Sequence, residues 1–141
     1  MTRNSKSRVM TIANKLVGKG YSRRLAMVKA WIIAKAERLS VRVAGTSFGD
    51  RQNILKAIDG KPAQIKLKHE TDNLADRNAV SVWVFAEGTR GYYKVGYLPK
   101  LVAAVIAPLL DKGVDLNPDS FHVTGAFRAG FSLGARLQLA V

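Results

Sequence analysis

The side chains with most chemistry to offer sit together in Glu70-Thr71-Asp72-Asn73-Leu74-Ala75-Asp76-Arg77-Asn78. Acidic side chains this close together suggest three different uses. Glu70, Asp72 and Asp76 could hold Mg²⁺ for phosphodiester hydrolysis, but two-metal nucleases gather carboxylates from several strands. This chain offers one acidic loop. A carboxylate beside a cationic surface repels phosphate, yet it accepts a hydrogen bond from a terminal hydroxyl. Asp76 could therefore tell the end of a nucleic-acid strand from its middle. The third use is structural: Asp72, Asn73, Asp76 and Asn78 suit turns that bond their own backbone. The chemistry alone leaves the last two open.

Stacking surfaces are the second ingredient of strand binding. Exposed rings hold bases with little regard to sequence, at about 1–3 kcal/mol per base. Phe48, Tyr92, Tyr93 and Tyr97 are the candidate rings, and Lys100 and Arg77 the candidate phosphate contacts. His69 and His122 lie in no metal-ligand motif, and no phosphate loop, nucleophile elbow or zinc spacing occurs. The chain has no cysteine, which excludes disulfides and thiol chemistry. We expect a binding protein rather than an enzyme, with no cofactor and no metal.

Charge points to the partner. The net charge is +13. Residues 1–42 carry eleven Lys and Arg against Glu37 alone, or +10, and residues 43–141 carry twelve against nine acids, or +3. A one-sided positive field attracts polyanions, nucleic acid above all. No apolar segment follows the basic N-terminus as in a secretory signal. The apolar run Leu101–Leu110 is too short to span a bilayer and contains Pro108. The expectation is a cytoplasmic protein with no membrane contact.

These groups need elements to hold them. Val9, Ile12, Ala13, Leu16 and Val17 recur at helical spacing, and Gly18 and Gly20 stop the run. Ser22 suits the N-cap of a second helix. That helix draws its apolar residues from Leu25, Ala26, Val28, Ala30, Trp31, Ile32, Ala34 and Leu39. Arg23, Arg24, Lys29, Lys35 and Arg38 are expected on its outer side, with Trp31 packing inward. From Ser40 the period changes to that of strands. Strands are expected at Val41–Val43, Ala63–Lys68, Ala79–Phe85, Tyr93–Tyr97, Phe121–Arg128 and Ala135–Val141. Helices are expected at Arg51–Ile58 and Pro99–Lys112. Short strands around one internal helix indicate a mainly β fold, a small OB- or SH3-like barrel. We read residues 1–39 as a basic helical hairpin and 40–141 as the barrel domain.

Three motifs occur in order: Val43-Ala44-Gly45-Thr46-Ser47-Phe48, then the loop from Asp72-Asn73 through Asp76 to Asn78-Ala79-Val80, then Val95-Gly96-Tyr97-Leu98-Pro99-Lys100. The set resembles the HIRAN domain over roughly residues 40–115, in the manner of small stand-alone bacterial or phage members. The resemblance implies a barrel with an embedded helix that captures the 3′-hydroxyl end of single-stranded DNA, as the fork-remodelling members do in DNA repair. Carried over by position, Asp76 would accept the 3′-hydroxyl and Asn73 would bond the terminal nucleotide. Phe48 would stack on a base, Tyr97 would line the pocket, and Lys100 would hold a phosphate. Asn78 and Gly96 would be structural. The chain departs from the family at Ser47, where an arginine is usual, and at Gly49 and Ala75, where rings are usual. Tyr92, Tyr93 and the basic hairpin are candidates to compensate. The rival readings are a general nucleic-acid binder driven by residues 1–42, a protein-interaction module of a phage or mobile element, and a metal-dependent nuclease.

Overall fold

The computed structural model describes residues 3–125 and 133–140. Two antiparallel helices come first, α1 (Arg3–Gly18) and α2 (Arg23–Leu39). Val9, Ile12, Ala13 and Leu16 form a buried stripe on α1, the i, i+3, i+4, i+7 pattern of an amphipathic helix. On α2 the buried stripe is Ala26, Ala30, Ile33 and Ala36, and its small side chains permit close packing. The Ser22 hydroxyl accepts the Leu25 amide at 3.3 Å, as an N-cap should. Arg8 grips Glu37 through two bonds of 2.9 and 2.7 Å, tying the far ends of the helices. The hydrogen bond to Glu37 raises the Arg8 pKa, against burial.

The hairpin shares one hydrophobic core with the rest of the chain. Its α2 packs against α4 (Lys100–Asp111) and β6 (Gly134–Gln138). The other elements are β1 (Val41–Arg42), α3 (Arg51–Ile58), β2 (Ala63–His69), β3 (Val80–Ala86), β4 (Tyr93–Tyr97) and β5 (Asp119–Thr124). The expected continuation of the last strands through 126–128, the turn at 130 and residue 141 lie outside the described residues.

The strands form two three-stranded antiparallel sheets, β1-β6-β5 and β2-β3-β4. The closed barrel expected from the sequence is not formed by hydrogen bonds among the described residues. One bridge joins the sheets: Ala44 donates to the Tyr97 carbonyl at 2.7 Å, and Tyr97 donates back to Ala44 at 2.9 Å. At the opposite end β2 and β5 approach each other without a ladder. The end of α4 and the turn after it, with Leu110, Val114, Leu116 and Pro118, line the β2 flank there. A β2–β5 pairing would depend on long-range register, which periodicity within one strand does not encode.

Central strand β3 is buried on both faces over Val80-Ser81-Val82. Its one buried polar side chain is satisfied, since Ser81 Oγ donates to the Lys68 carbonyl at 3.2 Å and accepts from Trp83 Nε1 at 2.8 Å. Gly96 on β4 is forced by packing. A Cβ there would run into the Ala44 carbonyl and Val43 Cγ1, at the bridge that joins the sheets.

Candidate functional site

The bridge at Tyr97 brings the Gly45–Asp50 loop against β4, and a cleft of about 330 Å³ opens between them. Phe48, Asp50, Arg51, Ile54, Tyr93 and Lys94 are among the residues that line it. The first turn of α3 fixes the loop. Gln52 Nε2 donates to the carbonyls of Thr46 and Leu133 at 2.8 Å each, and Gln52 Oε1 accepts the Leu133 amide at 2.7 Å. Arg51 Nη1 donates to the Gly45 carbonyl at 2.6 Å. Gly45 has φ 72°, and a side chain there would crowd that guanidinium.

With the loop held, Phe48 stands two-thirds exposed. The Arg51 guanidinium lies 5.8 Å from the Phe48 ring centre and 5.4 Å from that of Tyr97. It therefore links two aromatic surfaces while keeping its charge. Tyr93 adds a third ring, 38% exposed.

Behind these rings is a closed triangle. Lys94 Nζ donates to Glu70 Oε2 at 2.9 Å and to the Tyr97 hydroxyl at 3.0 Å, and Tyr97 donates to Glu70 Oε1 at 2.9 Å. Burial pushes the Glu70 carboxyl up, but bonds from Lys94, Tyr97 and Asn73 outweigh it and hold the group below its usual range. The hydrogen bond with Tyr97, then that with Glu70, raises Lys94. Glu70 thus stays ionised and matched by Lys94. Tyr97 is locked, and its hydroxyl already has partners.

The acidic loop is held by its own side chains. Asn73 Oδ1 accepts the amides of Ala75 at 3.0 Å and Asp76 at 3.1 Å. Asp76 Oδ1 accepts the Asn78 amide at 2.9 Å. These are the turns that Asx residues favour. Asp76 remains partly exposed, and Leu74 projects fully from the loop tip. His69 anchors the loop from below, with Nε2 2.7 Å from the Arg77 carbonyl and Nδ1 2.8 Å from Asp111 Oδ1 on α4. The hydrogen bond to Asp111, followed by the Arg77 carbonyl, raises the His69 pKa against burial.

The structure thus gathers Phe48, Tyr93 and Tyr97 around Arg51 and Lys94, and it joins Asn73 to them through a long contact of 3.4 Å with Glu70. Asp76 and Arg77 sit on the His69 side of the loop. Lys100 is exposed at the start of α4, next to a wider cleft of about 760 Å³ that Pro99, Arg42 and Ser47 help to line. Tyr92 stands off the cleft against Phe85, with its hydroxyl on Gln64.

On the hairpin, Arg23, Arg24 and Lys35 are exposed, and Arg23 reaches Asn14 at 2.7 Å. Lys29 does not face outward as expected. It turns inward over the Tyr21 ring, 5.0 Å from its centre, opposite Lys112 at 4.3 Å. Burial first, and the nearby Lys112 second, lower the Lys29 pKa. The Arg38 side chain lies outside the described residues. Trp31 also departs from expectation, at 44% exposed.

Arg51, Lys94 and Asp50 are the cleft residues that the sequence motifs did not supply as binding groups. One signal for Arg51 was available: a cation opening a helix three residues after an exposed-loop aromatic. Among the described residues no three acidic or histidine side chains cluster as a metal site. No described helix is long and apolar enough to cross a membrane.

The cleft sets Arg51, Lys94 and Asp50 beside the Phe48 and Tyr93 rings on a small two-sheet scaffold, the kinds of group that nucleic-acid-binding modules use. The family model of the HIRAN domain matches residues 37–122, and the chain belongs to that family of DNA-binding domains. Comparison with curated proteins and with solved structures gave no match.

Proposed function

We propose that this chain binds single-stranded DNA and seats a 3′-hydroxyl end against the cleft between the Phe48 loop and β4. The observation that carries the reading is the Arg51 guanidinium, 5.8 and 5.4 Å from the Phe48 and Tyr97 ring centres, with Lys94 also over Tyr97. A stacked base and its phosphate need that combination at one place. In this reading Phe48 and Tyr93 stack on the last bases, and Arg51 supplies a phosphate contact that Ser47 cannot make. Asn73 bonds the terminal nucleotide. Leu74 offers the apolar contact that Ala75 lacks. Asp76 uses its exposed side to accept the 3′-hydroxyl. Lys100 and Arg77 meet phosphates at the margins, and Arg23, Arg24 and Lys35 add salt-sensitive contacts. The module binds without catalysis and without a cofactor, in a cytoplasmic DNA-repair setting.

The test is a titration with matched oligonucleotides ending in a 3′-hydroxyl or a 3′-phosphate, at two salt concentrations. The reading requires tighter binding of the hydroxyl end, with the preference kept at higher salt. Equal affinities would refute end recognition.

The charge of +10 on residues 1–42 favours a second reading, a general binder driven by the hairpin. Deleting the hairpin cannot separate the two, because its apolar faces belong to the shared core. Neutralising Arg23, Arg24 and Lys35 can. Near-total loss of binding supports the second reading, and weaker but end-dependent binding supports the first.

A further inference from the structure

Helix α2 carries two apolar stripes, and the core uses one. The other comprises Leu25 at 54%, Val28 at 56% and Trp31 at 44% exposure. Arg24, Val28, Trp31 and Lys35 fall on one line of the helix, at i, i+4, i+7 and i+11. Arg24 and Lys35 cap the stripe about 16 Å apart along the axis. Among the described residues neither cation has a carboxylate partner.

We propose that this face is a second contact for single-stranded nucleic acid, separate from the β4 cleft: Trp31 stacks a base, and Arg24 and Lys35 hold phosphates on either side. Charge complementarity selects the occupant. A second copy would set Arg24 and Lys35 against their own kind, inside a hairpin already at +9 over residues 1–39. A membrane surface would want a broad apolar face free of charge, whereas Arg24 and Lys35 share one line of the helix with Val28 and Trp31. A polyanion with aromatic units matches both the cations and the ring. The contact lies outside the residues that the family model matches, 37–122.

The experiment follows tryptophan emission and anisotropy while the full chain is titrated with a thymidine oligonucleotide. The expected result is quenching that the Trp31→Phe protein lacks; Trp83 is common to both and cancels in the comparison. Trp31→Ala should weaken binding about ten-fold, and Trp31→Phe should restore most of it. Arg24→Gln and Lys35→Gln should each lower the salt slope by about 0.7. Folding is monitored by circular dichroism, and these exposed sites should not disturb it. The proposal is overturned if Trp31→Ala binds like the parent and quenching is unchanged. It is equally overturned if phosphatidylserine vesicles or self-association shield Trp31 while the oligonucleotide does not. Quenching should be the same with a 3′-hydroxyl or a 3′-phosphate, so this result and end recognition stand or fall separately.

Discussion

Arg51→Ala removes the cation on which the cleft is built. In the free protein it deletes a 2.6 Å bond to the Gly45 carbonyl and contacts with two rings at 5.8 and 5.4 Å. A charged hydrogen bond contributes about 1.5–3 kcal/mol, and an exposed cation–π contact about 0.5–1 kcal/mol. Arg51 is only partly buried, and solvent screening reduces both. We expect about 1–2 kcal/mol of lost stability, read as a lower urea midpoint at constant slope. The larger effect should be on DNA. With one phosphate contact gone, the salt slope should flatten by about 0.7, and affinity should fall about ten-fold. Arg51→Lys separates charge from shape. It should recover the salt slope but not the full affinity, because an ammonium lacks the planar, multi-donor face with which a guanidinium meets rings and phosphate. Fluorescence anisotropy with a labelled oligonucleotide at several salt concentrations reads both quantities. If Arg51→Ala binds with unchanged affinity and slope, DNA does not use the cleft as described.

Gly96→Ala places a methyl against the Ala44 carbonyl. Two bridge hydrogen bonds at about 1 kcal/mol each and overpacking of about 1–3 kcal/mol predict roughly 3–5 kcal/mol of destabilisation; a loss below 1 kcal/mol in urea unfolding would show that the strands simply part. Asp76→Asn keeps an oxygen for the Asn78 amide but loses the negative charge, so the fold should hold while the preference for a 3′-hydroxyl over a 3′-phosphate collapses in competition binding. His69 has acceptors at both ring nitrogens, and its pKa is raised. Its contribution should be complete below the unfolded histidine value of about 6.5 and should fade as pH rises through the higher folded value. Melting temperatures of parent and His69→Gln should therefore differ most in mild acid and converge at alkaline pH, and a gap that widens with pH would reverse the assignment.

Much of the scaffold was legible because its signals are local. Alternation marked β2, a helix cap at Ser22 marked α2, and Arg51–Ile58 formed the helix that its spacing implied. The misreadings share a cause. Apolar spacing on α2 cannot say which of two stripes faces the core. Packing chose Ala26, Ala30 and Ala36 because small side chains let α2 approach its neighbours, and that left Trp31 outside. Charge alone points Lys29 outward, yet its ammonium lies over the Tyr21 ring, where a cation–π contact holds it. Ser47, where the resemblance implies an arginine, lines the wider cleft with Arg42. The chain turns after Phe48, so Arg51, four positions on from Ser47, supplies a cation to the other cleft, the one beside β4. The sequence marks Arg51 only as a cation opening a helix; its place beside two rings depends on the Gly45 turn and the Ala44–Tyr97 bridge acting together.

The carboxylates show why end recognition is physically reasonable in so basic a protein. Glu70 is matched by Lys94 and bonded by Tyr97, so it presents little unbalanced charge to a strand. Asp76 is partly exposed, and Asp50 lines the cleft without capping α3. A phosphate held about 5 Å from either carboxylate would meet repulsion of about 1–3 kcal/mol, depending on local screening. A terminal hydroxyl at the same place instead donates a charge-assisted hydrogen bond. The two cases together span one to two orders of magnitude in affinity, enough for one carboxylate to sort ends from interiors. Which one sorts is decided by position relative to the stacked base. If Asp50→Asn erases the preference and Asp76→Asn leaves it intact, the acidic loop is a brace for the cleft, and the reading group belongs to α3.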